Sequence, residues 1–580
     1  MTLNGQWDFA FDPEDAGRAQ KWYRSLPATH HIEVPFCYQS ALSGIHDDRH
    51  CDVIWYARSF AVPDNMQGKR RLLHFGAVDY RADVWLDGQY LGGHEGGYTP
   101  FTFDVTDLTQ EGGAHTLSVR CEDRLDFDQP RGKQSYRPEP FACWYTPVSG
   151  IWQSVWLEGV GAVYPVDFRL TPCLERGSLR AEITLNRLPK DGAVRLTARF
   201  EGDLVAQQEI AVTTDRLVQT ELFLRHDGEL EGFRMWTPKH PALYDLTIET
   251  LSGGAVLDRM DTYFGMREIH IVGDRVVLNR DVLFQRLVLD QGYWPDGLLT
   301  APSDDALRRD VELTLQMGYN GARKHQKFED PRYLYWADKL GLLVWGELPS
   351  AYWLRDSEKR AMIRDLSEGI ARDYNHPCLI TWVPLNESWG VRQIYADKRQ
   401  QAAGRMLYHM TKAADGTRLC SSNDGWEQVT TDICALHDYA DAKGVIAAHF
   451  DSRAEVERHA CDWRPCYADS EQPTGEEAFM VTEYGGIAFT NIGIQGEMGG
   501  MQTWGYHGKV TDEEAFFERF KGVTDGVREI PYCQGYCYTQ LTGVMQEING
   551  LLTPDRQPKM DVERVRRINQ TAPGRTNQLV

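Results

Sequence analysis

The sequence lacks the patterns of several common protein classes. Its 12 cysteines are scattered, and the closest pairs, Cys533/Cys537 and Cys461/Cys466, have no histidines at zinc-site spacing. No glycine-rich phosphate loop ending in Lys-Ser or Lys-Thr is present, and no histidine cluster has metal-ligand spacing. We therefore predict reduced thiols, no disulfide framework, no metal site and no cofactor.

Long apolar runs and positive charge are also scarce. No stretch approaches the ~18 apolar residues of a membrane span, and the N-terminal residues hold no basic region before an apolar core. The 580 residues carry 62 Lys and Arg against 84 Asp and Glu, a net charge of −22. This balance disfavours nucleic acid or an anionic membrane as a partner. We predict a cytoplasmic protein; an acidic small substrate is still possible, because a basic pocket can lie in an acidic protein.

The chain is too long for one hydrophobic core, and its first half has the pattern of two β-domains. Alternating residues on both sides of Asp87-Gly88 predict a hairpin. Further short strands, separated by glycine and proline, predict an N-terminal β-sandwich of the jelly-roll type, sugar-binding-like, over residues 1–162. Short strands without helical periodicity predict an immunoglobulin-like β-sandwich over residues 163–267.

From about residue 270, helical and strand patterns alternate. Ser303 is a predicted N-cap for a helix that ends near Gly318, and a second helix runs from Pro331 to Leu340 before Gly341. Apolar strands follow each helix as far as the segment around Tyr538. This alternation predicts a C-terminal (β/α)8 TIM barrel over residues 268–580.

Two glutamates close apolar strands of the predicted barrel. Glu387 follows Asn386 after the run that begins at Trp382, and Glu483 closes the run that begins at Phe479. The carboxyl ends of parallel barrel strands converge on one face, where the chemistry of such barrels occurs. Two carboxylates on that face are what a glycosidase needs, one to protonate the leaving oxygen and one to attack the anomeric carbon or activate water.

Several motifs, in the right order and over nearly the whole length, resemble glycoside hydrolase family 2, which includes β-galactosidases, β-glucuronidases and β-mannosidases. They lie at Phe75–Gly88, His94–Phe101, Ser149–Trp152, Tyr263–Arg267, Asn386-Glu387 and Thr482–Gly485. The resemblance implies a retaining, exo-acting hydrolase in which Glu387 is the acid/base and Glu483 is the nucleophile. An oligosaccharide or small glycoside is then the expected partner, with a homo-oligomer as a further possibility.

Other side chains at predicted strand ends are expected to line the sugar subsite: Asn386, Asp290, Arg323, His325, Lys327, Glu347, His437, Tyr439, Trp504 and Tyr538. Several of them have a structural alternative. Arg323 and Glu347 can form an ion pair under the site, and His437 can be a buried structural histidine. Trp504, with Tyr506, can be a stacking platform or loop packing. Lys324 and Lys327 can meet a substrate carboxylate or be solvated surface lysines.

The sequence does not identify the sugar that is cleaved. Residues 323–327 read Arg-Lys-His-Gln-Lys, where many family members carry another string, and the glucuronidase-type Asn-x-Lys is replaced by Asn549-Gly-Leu551. The stretch Leu287–Gly297 resembles a sub-branch with furanosidase activities. We expect a β-galactosidase-like enzyme first. The alternatives are an α-L-arabinofuranosidase or β-D-galactofuranosidase, a β-glucuronidase, a transglycosidase and a catalytically inactive carbohydrate-binding protein.

Overall fold

The structure is a computed structural model that describes residues 1–110, 112–225, 232–459, 464–489 and 503–573. Two β-sandwiches precede a (β/α)8 barrel, which is the predicted architecture. The domain boundaries at residues 162 and 267 stay predictions. Within the described ranges, no helix combines the length and the apolar character needed to span a membrane.

The N-terminal sandwich packs a six-stranded sheet, in the order β2-β1-β3-β9-β6-β7, against a three-stranded sheet, β11-β4-β8. Alternating apolar residues of both sheets, among them Trp7, Tyr56 and Phe75, form its core. Its strands are β1 Gly5–Phe11, β2 His30–Val34, β3 Val53–Ala61, β4 Arg70–Phe75, β5 Val78–Asp79, β6 Arg81–Leu86, β7 Gln89–Glu95, β8 Phe101–Asp104, β9 Ala114–Glu122, β10 Gly150–Ile151 and β11 Val155–Val160.

The second sandwich packs sheet β12-β13-β16 on sheet β15-β14-β17-β18. A small sheet of β19, β20 and β21, which the sequence did not predict, connects it to the barrel. The strands are β12 Pro165–Cys173, β13 Ser178–Leu185, β14 Gly192–Phe200, β15 Asp203–Val212, β16 Leu217–Phe223, β17 Tyr244–Ser252, β18 Ala255–Phe264, β19 Ile269–Val272, β20 Arg275–Leu278 and β21 Asp281–Val282.

The barrel sheet has eight strands in the order β26-β25-β24-β23-β22-β31-β28-β27, and each pair within it is parallel. Its strands are β22 Gln285–Asp290, β23 Gly321–Lys324, β24 Leu343–Glu347, β25 Leu379–Val383, β26 Leu419–Cys420, β27 Ile433–Asp438, β28 Ala478–Gly485 and β31 Cys533–Thr539; β29 Ala488–Phe489 and β30 Lys509–Val510 form a separate pair. The sheet is nearly closed, since the backbone of Asp432 hydrogen-bonds Cys420 across the gap at 2.9 Å.

Helices surround the barrel, and several of them begin at a residue whose side chain caps the helix. The hydroxyl of Ser303 accepts a hydrogen bond from the amide of Ala306, and Gly341 ends α2 in the left-handed conformation. The helices are α1 Asp304–Gln316, α2 Pro331–Leu340, α3 Asp356–Asp373, α4 Lys398–Ala414, α5 Lys443–His449, α6 Arg453–His459, α7 Glu513–Arg528 and α8 Val562–Asn569. This arrangement brings the carboxyl ends of the strands to one face.

Candidate active site

Glu387 and Glu483 meet at the carboxyl-terminal face of the barrel. Glu387 lies just after β25, and Glu483 lies near the end of β28. One carboxylate oxygen of each, together with a ring nitrogen of His437, lies within 4.8 Å of the others. The two acids are therefore close enough to act on opposite sides of one glycosidic bond.

Arg323, at the end of β23, is fully buried between the acids of the site. Its guanidinium contacts Glu347 at 3.0 Å, Asp424 at 2.9 Å and Glu483 at 2.8 Å. It also donates a hydrogen bond of 2.6 Å to the amide oxygen of Asn386. A planar guanidinium with several donors can hold these groups in fixed directions, which a lysine could not do. The Arg323–Glu347 ion pair thus adjoins Glu483, one of the two glutamates.

His437, on β27, lies between acidic groups on both sides of its ring. Nδ1 is 2.8 Å from Glu387, Nε2 is 3.1 Å from Asp424, and Nε2 is 3.5 Å from Glu483. Because the facing oxygen of each acid can accept a hydrogen bond, the arrangement suits an imidazolium that donates from both nitrogens. Gly425 makes this position possible, since a Cβ there would lie 2.4 Å from the ring of His437.

The charges of the site shift the pKa values of its members. Burial alone would raise the pKa of Glu483, but His437 and Arg323 outweigh burial and lower it. Burial would lower the pKa of His437, yet Glu483, Asp424 and Glu387 raise it to about 10. Burial would raise the pKa of Asp424, but Arg323 and His437 outweigh burial and lower it to about 2. At neutral pH, Glu483 is therefore an anion beside two cations.

Tyr439 and Tyr506 form the wall next to Glu483. The hydroxyl of Tyr439 donates a hydrogen bond to the carboxylate of Glu483. The ring of Tyr506 stacks on that of Tyr439, with centroids 3.5 Å apart and planes 6° apart. Tyr506 therefore supports Tyr439, which in turn orients the carboxylate.

The predicted residues Asp290 and Lys327 belong to a neighbouring buried ion network. Lys324 contacts Asp290 at 2.6 Å and Glu329 at 2.8 Å. Lys327 contacts Glu329 at 3.0 Å and donates to the carbonyl oxygens of Gly292 and Leu299. Both ammonium groups thus have internal partners. Neither lysine is a solvated surface residue.

The remaining predicted residues have different surroundings. His325 lies 3.2 Å from Glu347 and 3.1 Å from the guanidinium of Arg323. The indole of Trp504 donates to the carbonyl oxygen of Ala142 in the N-terminal sandwich, at 2.9 Å. Tyr538 packs edge-on against Phe520 of α7, so its ring points away from the barrel interior. The structure does not bring Tyr538 together with the glutamates. The glycine-rich loop before Trp504 lies outside the described residues.

Three residues of this region were not identified from the sequence. Asp424 follows the short strand β26, and the turn-like string Ser421-Ser-Asn-Asp-Gly was its only signal. Lys133 comes from the N-terminal sandwich, and its buried ammonium lies near enough for Glu483 and Glu387 to influence its pKa. Glu547 lies in the loop after β31 and is also buried. No local periodicity marks the last two, because tertiary contacts place them.

Glu387, His437 and Glu483 also have the spacing of a metal-binding cluster within the described part of the chain. To act as a ligand, however, His437 would have to give up a proton from a ring nitrogen that faces a carboxylate. The present contacts therefore fit an acid pair bridged by an imidazolium better than a metal site.

Comparison with known proteins matches three consecutive family models to this chain. Residues 1–157 match the sugar binding domain of glycosyl hydrolases family 2, residues 163–267 match the model described as glycosyl hydrolases family 2, and residues 300–572 match its TIM barrel domain. Together they account for most of the sequence.

The names of similar curated proteins give two different activities, beta-galactosidase and beta-glucuronidase. A beta-galactosidase of Thermoanaerobacter pseudethanolicus is 26% identical over 69% of this chain and 54% of its own length. A beta-glucuronidase of Paenibacillus borealis is 25% identical over 67% of each chain. This chain thus spans about half of the first relative. The structure of a β-glucuronidase from Ruminococcus gnavus in complex with D-glucuronic acid has a TM-score of 0.79, 19% identity and coverage of 98% of this chain and 97% of its own. That likeness shows the fold alone.

Proposed function

We propose that this chain, which belongs to glycoside hydrolase family 2, hydrolyses the terminal O-glycosidic bond of a small glycoside or oligosaccharide with retention of configuration. The observation that carries the proposal is the separation of the two glutamates. Oxygens of Glu387 and Glu483 lie within 4.8 Å. Retaining enzymes hold their carboxyl groups ~5–5.5 Å apart, whereas inverting enzymes leave ~6.5–9.5 Å for a water molecule.

In the first step, Glu483 attacks the anomeric carbon while Glu387 donates a proton to the leaving oxygen. The low pKa of Glu483, set by His437 and Arg323 against the effect of burial, keeps it ionised for attack. The bond to the leaving group breaks, and a covalent glycosyl-enzyme forms. In the second step, Glu387 takes a proton from a water molecule whose oxygen attacks the anomeric carbon. The bond between that carbon and Glu483 breaks, so the sugar is released and Glu483 returns to its carboxylate form.

Asn386 and His437 support these steps. Arg323 binds the amide oxygen of Asn386 at 2.6 Å, which directs the NH2 group to the other side. That group can donate to the sugar hydroxyl next to the anomeric carbon, a contact that strengthens in the transition state. His437, 2.8 Å from Glu387, fixes the direction in which the acid/base carboxyl points.

A neutral sugar fits the charges of the site better than a uronic acid. Lys324 and Lys327, the lysines that the sequence offered for a uronate, are engaged by Asp290, Glu329 and backbone carbonyls. A carboxylate without a partner in a buried site costs several kcal/mol or shifts its pKa. We therefore propose a β-galactoside-like substrate first, then an α-L-arabinofuranoside or β-D-galactofuranoside, and a β-glucuronide last.

A panel of nitrophenyl glycosides in pyranose and furanose forms tests this proposal. We expect kcat/KM to be higher for at least one neutral glycoside than for the β-glucuronide. A preference for the glucuronide would overturn the choice of sugar and leave the two-glutamate mechanism standing. No hydrolysis of any glycoside would overturn the function itself.

A further inference from the structure

The segment formed by residues 131–146 of the N-terminal sandwich lies across the catalytic face of the barrel. On one side, the amides of Arg131 and Gly132 donate to the carbonyl oxygen of Ser350, at 3.0 and 3.1 Å. On the other side, the side chain of Gln546 donates to the carbonyl oxygens of Ala142 and Trp144, at 2.8 and 3.0 Å. The 131–146 segment is thus fixed to loops that follow β24 and β31.

A close backbone approach holds Lys133 at this position. Gly132 has a φ of 59°, and a Cβ there would lie 2.2 Å from the carbonyl oxygen of Gln326. Only glycine allows the chain to pass so near the loop after β23. The next residue, Lys133, is thereby carried towards the glutamate pair.

Among the described residues, the ammonium of Lys133 lies near acidic groups but forms no ion pair with them. The residue is buried, with 8% exposure. Burial would lower the pKa of Lys133, but Cys143, Glu547, Glu483 and Glu387 outweigh burial and raise it. Even so, no carboxylate oxygen of the described residues lies within 4.0 Å of its Nζ. The thiol of Cys143 hydrogen-bonds Lys133, and because an ammonium has three N–H donors, the others can serve a ligand.

Glu547 and Asn549, in the loop after β31, each have one buried polar atom that a ligand could contact. The side chain of Gln540 donates to Glu547 at 3.0 Å and to the amide oxygen of Asn549 at 2.7 Å. The other carboxylate oxygen of Glu547 and the NH2 group of Asn549 are buried without a hydrogen-bond partner among the described residues. Such atoms are rare in folded proteins unless a ligand or water satisfies them.

We propose that Lys133 and Glu547 together bind two neighbouring hydroxyl groups of the terminal sugar, so that the N-terminal sandwich selects the glycone that the barrel cleaves. The inference rests on the proposed function and deepens it. A hydroxyl group can accept from the ammonium and donate to the carboxylate, so a diol satisfies both groups. A uronate carboxylate would satisfy Lys133 but would be repelled by Glu547.

The test compares wild type, Lys133→Met, Glu547→Gln and the exposed control Lys339→Met on the best nitrophenyl glycoside and its monodeoxy analogues. We expect Lys133→Met to lower kcat/KM for the parent sugar by ~10–100-fold, the range for a hydrogen bond to a charged group. On the analogue that lacks the contacted hydroxyl, Lys133→Met should lower kcat/KM by less than ~3-fold, because the hydrogen bond to Lys133 is already absent. Glu547→Gln should show the same selectivity, and Lys339→Met should match wild type on every substrate.

Three results would overturn the inference. Equal losses on the parent and on all deoxy analogues would mean a general structural or electrostatic effect. Unchanged kinetics in folded Lys133→Met and Glu547→Gln would mean no contact. A loss confined to the β-glucuronide would mean that Lys133 binds a carboxylate. Melting temperatures establish folding, and the isosteric Glu547→Gln provides the test if Lys133→Met does not fold. If wild type cleaves no glycoside, the proposed function and this inference both fail. If wild type is active, the three results above count against this inference alone.

Discussion

At the scale of single residues, the candidate site depends on two buried cations among acids. Arg323 contacts Glu483 at 2.8 Å and Asp424 at 2.9 Å, and His437 lies between Asp424 and Glu387. The cations keep Glu483 ionised in surroundings that would otherwise favour its neutral form. Removing either cation should therefore affect both protonation and the positions of the acids.

The role of Glu387 predicts a dependence on the leaving group. In Glu387→Ala, glycosides with poor leaving groups should lose ~10²–10⁴-fold in kcat, because they need the proton that a general acid supplies. Activated nitrophenyl glycosides should lose much less in the first step. Rates for a series of aryl glycosides of increasing leaving-group pKa measure this. Equal losses across the series would reject the acid role.

The raised pKa of His437 predicts a change of stability with pH. Between its ordinary pKa of 6.5 and its folded pKa of about 10, the folded state holds a proton that the unfolded state has lost. The contribution is thus complete below pH 6.5 and disappears as the pH rises through about 10, on the order of a few kcal/mol. Thermal unfolding from pH 6 to 10 should show a decline that His437→Asn reduces. The exposed control His31→Asn should retain the wild-type decline, and the same decline in His437→Asn would contradict the account.

At the scale of elements, the ends of barrel strands and one turn set the geometry. The Asp424-Gly425 turn runs beside the segment after β25, since the amide of Glu387 donates to the carbonyl oxygen of Asp424 at 2.9 Å. The amide of His437 donates to Gly425 at 3.3 Å. One turn therefore positions Glu387, the proposed acid/base, together with His437 and an acid that contacts both cations.

Gly425→Ala tests the importance of this turn. The added Cβ would lie 2.4 Å from the ring of His437, at a φ of 91° that side chains rarely adopt. His437 should shift, and a displacement of ~1 Å can reduce activity by ~10²-fold. Gly444→Ala is the matched control, because nothing lies within 4 Å of the added atom. Near-normal kcat/KM in Gly425→Ala would show that the close approach is unnecessary.

Turn and capping residues in the sequence predicted the elements whose ends they mark. Asp87-Gly88 gave the hairpin of β6 and β7, and Pro331 with Gly341 marked both ends of α2. Glu387 and Glu483 could be predicted as candidate catalytic residues because each closes an apolar strand. The pattern could not show that Tyr538 faces α7 or that Lys324 is paired with Asp290, since strand register and distant partners decide these contacts.

At the scale of the whole molecule, the N-terminal sandwich contributes to the catalytic face of the barrel. Its 131–146 segment carries Lys133, and that segment has no periodic pattern from which its destination could be predicted. Its position depends on contacts with Ser350 and Gln546, both more than two hundred residues away in sequence. We therefore expect the barrel to need this domain for selective hydrolysis, a dependence that composition and motifs alone did not reveal.

Trapping the covalent intermediate tests the central claim most directly. The protein is incubated with a 2-deoxy-2-fluoro analogue of its best glycoside, digested and analysed by mass spectrometry. We predict one fluoroglycosyl adduct, on the peptide that contains Glu483, and no adduct in Glu483→Gln, which should also lose ~10³-fold or more of its activity. An adduct on Glu347 or on any other residue, with Glu483 unlabelled, would contradict the account.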